Sequence, residues 1–580
     1  MYLKAYSLLD KQNKRRINVL FLLMIIAASL EALGIGMMIP LINLLIDENF
    51  LTQFSFLNNF LLILQNLFNE EDVNRIFLFF FLIIYLFKNL FLVFYSYFQQ
   101  QIILKIQFFM SLRLFEKYVF SPTLFLAQKH SSEIIRNATN QADSYSVNFI
   151  QSALTILVEV VTFLFIMTLV YLQLPMQTSI VLLVFIGFGF VYYFLFRNTI
   201  YRIGKEMTER EALRIKSLQE AYASIKEIKI FGLHEKFINY YIKLNLRIIK
   251  ISKKLAIIRI LPRHLIESFS VLMIIIFLLI LLNQNIKLNE SIATIAVFAA
   301  VGFRIIPSMN RFMQSIQRLR FTKPVIANLY NELVNFEETV KEKNKAKKDS
   351  IITGFKKDIV LDNISFKYPK SEKYLFKNLT LKIKKGSSLA IFGKTGSGKT
   401  ALVEIISGLI PPSEGKVFVD DVNIAEDING WQKKISYVPQ KIYLIDDTIS
   451  NNITLSSTLS LQNLDQKKFN EVINLSKLND LYSKGEFERI VGERGVRLSG
   501  GQIQKIGIAR ALFKETDLLI IDEGTVAIDS KSETDIISNI LSLDHKPTII
   551  FITHKTSLFK YFDQVYELKN GEMKPINITS

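Results

Sequence analysis

Six apolar stretches precede residue 320, at 17–45, 76–98, 153–174, 178–197, 264–282 and 290–313. Each reaches the about 20 residues a helix needs to cross a ~30 Å hydrocarbon core, and 271–282 holds no polar residue. Buried helices of a soluble domain are the alternative, and six such stretches in so short a run weigh against it. Apolar stretches of this length read as membrane-spanning helices, so an all-α membrane domain is expected here. The 580 residues allow two or more domains. Half the chain is apolar, with 47 Phe and a mean hydropathy of +0.28, as for one half in lipid and one half in water.

The net charge of +18 points either to nucleic acid or to the Lys/Arg-rich cytoplasmic side of a membrane protein. Its distribution favours the second. Segments 1–16, 99–152 and 198–263 are basic (Lys14, Arg15, Arg16, Lys105, Arg113, Arg202, Lys253), whereas 46–75, 175–177 and 283–289 carry only Arg75 and Lys287. The positive-inside rule then places both termini of a multi-pass protein in the cytoplasm. The first apolar stretch runs on past Ala27, Ala28 and Ser29, which argues against a cleavable signal peptide. Cysteine is absent, excluding disulfides, thiolate metal sites and cysteine nucleophiles. Residues Ile215, Leu218, Tyr222 and Ile225 recur at helical spacing among charges, so the membrane helices are expected to continue as long rods. The Lys-rich stretch 335–353 reads as a linker between a membrane domain at 1–334 and a second domain at 354–580. A nucleic-acid tail is the other reading, disfavoured because charge runs are usually solvated. No internal repeat is evident.

The second domain announces itself at Gly393-Lys394-Thr395-Gly396-Ser397-Gly398-Lys399-Thr400, a GxxxxGK[ST] phosphate-binding loop. Glycines let backbone N–H groups curl around phosphates without a Cβ in the way, and the following helix turns its positive end toward the same anion. Lys399 is placed to reach the β- and γ-phosphates, and Thr400 to offer a hydroxyl to Mg²⁺. An apolar strand pattern at 387–392 leads in, and Leu402, Ile405, Ile406 and Leu409 lead out at helical spacing. An α/β ATPase domain is therefore expected behind the helical one.

Further motifs follow in order: Ser436-Tyr437-Val438-Pro439-Gln440, Leu498-Ser499-Gly500-Gly501-Gln502, an apolar run ending in Asp522-Glu523, and Ile552-Thr553-His554. This series resembles the nucleotide-binding domain of ATP-binding cassette (ABC) transporters over about residues 358–570. Paired carboxylates suit phosphoryl transfer to water, with Asp522 on Mg²⁺ and Glu523 as general base. The resemblance further implies that His554 contacts the γ-phosphate, that Gln440 touches Mg²⁺ or the attacking water, and that Tyr368 stacks on adenine. Singly, Tyr368 is also readable as a strand aromatic, His554 as a strand cap and Gln440 as a loop residue. Ser499, Gly500, Gly501 and Gln502, and Asp529 beyond them, are implied to close the ATP site of a second copy. With one P-loop and one signature per chain, a homodimer with two equal sites is expected. Gly524 and Val526 depart from the family's usual residues and put turnover and inter-domain coupling in question. The segment Val491-Gly492-Glu493-Arg494-Gly495 resembles one found in exporters.

Six spans followed by an ATPase resemble a half-size ABC exporter, with coupling helices implied near 121–127 and 207–217. Two stretches, Glu31 to Pro40 and Arg304 to Arg311, resemble bacterial lipid-linked oligosaccharide flippases. Ionisable residues in spans are costly and often functional. Glu31, Lys88, Arg304 and Arg311 are thus candidates to line a cavity for a pyrophosphate-bearing lipid, unless Glu31 pairs with Lys88 and the arginines brace helices. Residues 50–68 read either as a short surface helix or as ordinary loop packing. The expected activity is ATP-driven movement of a lipid-linked oligosaccharide; lipid A, phospholipid or peptide export and an ATP-gated channel are the alternatives.

Overall fold

A computed structural model describes residues 2–37, 41, 73–173, 175–283, 288–345, 351–369, 371–455, 465–483 and 486–577. The segment 50–68 lies outside the described residues. The chain divides into two compact units, Met1–Ser121 with Phe125–Glu338, and Thr339–Ser580 with Pro122–Leu124.

The first unit is helical. After α1 (Tyr2–Ser7) come the long helices α2 (Lys11–Gly36) and α3 (Val73–Phe120), then the short α4 (Thr123–Ala127) at the first site expected for a coupling helix. A third long run follows as α5 (Ser131–Arg136), two π-helical stretches (Asn137–Gln141 and Ser144–Ile150) and α6 (Gln151–Gln173). Next are α7 (Pro175–Ala223), α8 (Ile225–Ile230), α9 (His234–Asn283) and α10 (Leu288–Lys345). Among the described residues, Lys11–Gly34, Arg75–Phe120 and Ser131–Thr168 are long and apolar enough to cross a membrane. On α3 the exposed apolar residues Phe79, Leu82, Leu86, Leu90 and Val93 recur every three or four positions, a stripe suited to lipid.

One expectation is corrected. Residues 207–217 lie inside the rod α7; the short helix at the turn is α8, because no breaker interrupts the helical pattern before Ser224 and Gly232. The expected linker is helical in its first part, since α10 runs to Lys345 through Glu- and Lys-rich sequence that favours helix.

Specific contacts tie the helices together. Leu8, Leu9, Met24, Ile106, Tyr145, Ile326 and Leu329 share one buried cluster, and the Tyr145 hydroxyl donates to the Ala5 carbonyl at 2.8 Å. Pro262 inside α9 lacks the N–H that would cap the Ile258 carbonyl one turn earlier. That carbonyl instead accepts from the Tyr192 hydroxyl of α7 and from Gln317 Nε2 of α10. Gly204 lets α7 approach α10 closely, because a Cβ there would lie 2.1 Å from the Phe321 carbonyl oxygen.

The second unit holds two sheets. The antiparallel one has the order β2-β1-β4-β5, from β1 (Asp358–Phe366), β2 (Phe376–Lys384), β4 (Glu414–Val419) and β5 (Val422–Asn423). The other has the order β10-β9-β3-β8-β7-β6, from β3 (Ser388–Phe392), β6 (Ile435–Val438), β7 (Leu518–Asp522), β8 (Thr548–Ile552), β9 (Gln564–Lys569) and β10 (Glu572–Pro575). All its pairings are parallel except β10 on β9. Strands β3, β7 and β8 read as nearly continuous apolar runs and are buried except at Phe392, the last residue of β3, as befits a parallel sheet covered on both faces.

Candidate nucleotide site

The order β3-β8-β7-β6 decides where the motifs meet. In an open parallel sheet, ligands bind beyond the carboxyl ends of the strands. The loop 393–398 leaves β3, His554 follows β8, Asp522 and Glu523 end β7, and Gln440 follows β6. Residues scattered from 393 to 554 thus stand in a row along one edge.

The loop itself needs its glycines. Gly396 and Gly398 have φ of +83° and +102°, and a Cβ on Gly393 would lie 2.6 Å from the Leu568 carbonyl oxygen. Helix α11 (Lys399–Ile406) starts from Gly398. Lys399 is buried, and its ammonium donates to the carbonyls of Gly393 (2.8 Å) and Lys394 (3.2 Å). It also lies 3.8 Å from Glu523 Oε1 and 3.4 Å from His554 Nε2. Burial pulls the Lys399 pKa down, opposed by Glu523 and Asp522.

Glu523 takes a left-handed φ of +51°, a conformation costing a side chain about 1–3 kcal/mol. Its carboxylate is held on both sides, by Gln440 Nε2 donating at 2.7 Å and by His554 Nε2 at 2.7 Å. Beside it Asp522 is buried, and its Oδ1 has no hydrogen-bond partner; Oδ2 accepts from the Tyr437 hydroxyl at 3.4 Å. Burial raises the Asp522 pKa, while the Thr400 hydroxyl beside it acts the other way. An orphaned buried carboxylate oxygen next to a hydroxyl is a fitting pair of hard oxygen ligands for Mg²⁺. Ser397 Oγ is also buried without a partner inside the loop. Sequence reasoning gave Tyr437 no role. Its place at the end of β6, one strand from Asp522, is visible only once the sheet order is known.

Tyr368 follows β1, half exposed, with its ring edge-on to Phe366. Burial raises its pKa, with Glu404 adding to the rise. The signature residues occupy another place. Ser499 caps helix α12 (Gly500–Phe513): its Oγ accepts from Gln502 N–H at 3.2 Å, and the Gln502 side chain accepts from Ser499 N–H at 2.8 Å. A Cβ on Gly501 would sit 2.9 Å from the Ala527 carbonyl oxygen, and Ala527 N–H donates to Gln504 at 2.7 Å. Asp529 caps helix α13 (Ser530–Leu541) through Ser532 N–H at 2.9 Å. Among the described residues none of these bonds to the P-loop. At Gly524, an alanine methyl would lie 2.7 Å from Val438 Cγ1, which accounts for glycine there, and Val526 is exposed.

In the helical unit, Glu31 accepts from Thr162 at 3.4 Å. Lys88 is buried with its ammonium 4.0 Å from the Tyr85 ring centroid and its stem packed on Gly34. Arg311 forms an ion pair with Glu159, which also accepts from Ser308. Arg304 lies on α10 with its side chain outside the described residues.

A P-loop nucleotide-binding unit behind a helical membrane unit is the class these features define. The family model of the ABC transporter transmembrane region matches residues 22–304, and that of the ABC transporter matches 376–526. With both in one chain, the protein belongs to the ABC transporters. It is 38% identical over 215 residues to the multidrug resistance-like ATP-binding protein MdlA of Buchnera aphidicola, covering 36% of each chain. It is 31% identical over 220 residues to the ATP-dependent lipid A-core flippase of Pasteurella multocida, covering 37% of this chain and 36% of that one. These matches therefore span little more than a third of either relative. A bacterial Atm1-family ABC exporter with ATP bound shares the fold with a TM-score of 0.75 at 17% identity, covering 97% of this chain and 95% of that one.

Proposed function

We propose that this protein is an ATP-driven exporter that moves a phosphate-bearing glycolipid, a lipid-linked oligosaccharide in the leading case, across the bacterial inner membrane, with both termini in the cytoplasm. The observation that carries the ATP-driven part is Glu523, fixed between Gln440 and His554 beside Lys399 and the orphaned Asp522 oxygen, while the resemblance of the stretches Glu31 to Pro40 and Arg304 to Arg311 supports the cargo. Asp522 and Thr400 would hold Mg²⁺, which neutralises phosphate charge when bound. Lys399 exchanges its loop carbonyls for phosphate oxygens. Glu523 accepts the proton of the attacking water, and His554 and Gln440 keep its carboxylate aimed. Tyr368 offers a face to adenine.

Ser499 to Gln502 and Asp529 stand apart from the P-loop of their own chain, which supports a site completed by a second identical chain. ATP would then drive closure by binding the closed pair more tightly than the open one. The name of the Pasteurella relative supports lipid A as a second cargo, and lipid A shares the phosphorylated-sugar headgroup. Reconstituted protein should hydrolyse Mg-ATP and move a polyprenyl-pyrophosphate glycan between leaflets. A Glu523→Gln variant that stays monomeric with Mg-ATP would refute the paired engine.

A further inference from the structure

We propose that the helical unit carries a docking site for a sugar phosphate, with the phosphate on Arg259 and Arg318 and the sugar on an amide-lined wall beside them. This rests on the glycolipid reading above and locates where such a headgroup is first met.

Two cavities meet at Arg259. The larger, about 750 Å³, is lined by Gln107, Asn140, Asn148, Thr208 and Glu211 among others, and falls within the ~300–1,000 Å³ of ligand pockets. The smaller, about 360 Å³, is lined by Arg263, His264, Gln314 and Arg318, and the two share Arg259 and Ile260. Arg259 and Arg263 stand four apart on α9, and Gln314 and Arg318 four apart on α10, so each helix presents one face to the space.

The charges there are unequally matched. Glu267 takes Arg263 at 3.0 Å and His264 at 3.5 Å. Arg259 and Arg318 have no carboxylate partner among the described residues, and Arg259 Nε is buried without a hydrogen bond. The Arg259 guanidinium lies over Phe321, 5.6 Å from the ring centroid. Burial and then the Arg318 charge both pull the Arg259 pKa down, so the two cations feel one another. Two other charge clusters in this unit are closed by carboxylates: Glu332 takes both Lys117 (2.6 Å) and Lys129, and Glu159 takes Arg311. Two adjoining unneutralised guanidiniums on a cavity are what a phosphate requires, since their planar N–H forks match its oxygens.

The sugar side follows from the π-helical stretches. Asn140, Ser144 and Asn148, which they supply, turn toward the larger cavity opposite Thr208. Amides and hydroxyls donate and accept, as sugar hydroxyls do. Glu211, whose pKa burial raises, is a further acceptor that would repel a phosphate, which orients the phosphate toward Arg259 and Arg318.

The test is ligand-observed NMR on full-length protein in nanodiscs, in a Lys399→Ala background that silences the P-loop. N-acetylglucosamine 1-phosphate should bind at least tenfold tighter than inorganic phosphate, and free N-acetylglucosamine weaker still. Arg259→Gln with Arg318→Gln should weaken the sugar phosphate at least tenfold, with Arg259→Lys between. Asn140→Ala with Asn148→Ala should erase the preference over inorganic phosphate. Equal binding of phosphate and sugar phosphate, or unchanged binding in the arginine variant, overturns the site. Glycolipid movement as fast in the arginine variant as in the natural protein also overturns it, while leaving the transport reading intact. Sugar-phosphate binding as described in a protein that moves no glycolipid upholds the site and removes the transport reading instead.

Discussion

The strand ends of the nucleotide unit and the paired carboxylates of the helical unit bury charge in opposite ways. At the strand ends of the nucleotide unit, Lys399, Asp522, Glu523 and His554 crowd together, yet Asp522 Oδ1 and Ser397 Oγ are left without partners. In the helical unit, Glu159 is consumed by Arg311 and Ser308, and Glu332 by Lys117 and Lys129. A cluster that leaves valences open is built for something that arrives. One that closes on itself braces helices, because breaking a buried pair is costly whereas replacing both partners by apolar groups is often neutral.

The contrast is open to attack by substitution. The largest effect is expected at Glu523: Glu523→Gln should lower the ATP hydrolysis rate by about 10²–10⁴-fold, the usual worth of a general base, while labelled ATP still binds. Lys399→Ala should weaken nucleotide binding about 10- to 100-fold in equilibrium titration, as expected for lost charge-assisted hydrogen bonds. If Lys399 instead serves the loop carbonyls it now holds, thermal stability falls and affinity does not. In the helical unit the outcome should be reversed. Glu159→Gln should cost about 1–3 kcal/mol of stability, reduced from the fully buried case by the partial exposure of Arg311, seen as a lower melting temperature in detergent. Glu159→Met with Arg311→Met should recover most of it; failure to recover would make the pair functional rather than a brace.

Tyr368→Ala should weaken ATP binding about three- to tenfold, the worth of an aromatic stack, with GTP affected equally. The smallest shift concerns Asp522. Its folded pKa is raised, so its ionised form destabilises the nucleotide-free domain at pH values above that pKa. The penalty vanishes below its ordinary value near 3.8, where the group is protonated in both states. Asp522→Asn should therefore raise the melting temperature at neutral pH without Mg²⁺, with the gain lost in strong acid, and should abolish stabilisation by Mg-ATP.

Much of the nucleotide site was legible in the sequence, because loop, carboxylate pair and histidine each carry their chemistry in adjacent residues. What was not legible is their meeting, which depends on the strand order β3-β8-β7-β6 and brings Tyr437 to Asp522. The helical unit was less legible in detail. Apolar length marked where helices lie, but α7 continues through 207–217 to Ala223, and Lys/Glu-rich sequence suits a solvated coil as well as the helix it forms up to Lys345. Among the ionisable residues picked out in spans, Arg311 proved paired, and Arg259 and Arg318, which have no carboxylate partner among the described residues, lie just beyond the spans. Which long side chain finds which carboxylate is settled by helix packing, which spacing in one chain does not encode.

The π-helical turns at 137–141 and 144–150 have one more consequence. Each such turn accommodates an additional residue, rotating everything beyond it by ~100° around the helix axis. A helical wheel drawn through this helix loses its phase there. Relatives lacking a bulge should align with single-residue gaps, and deleting one amino acid here should swing the amide row away from the hollow while sparing the lipid-facing stripe of α3.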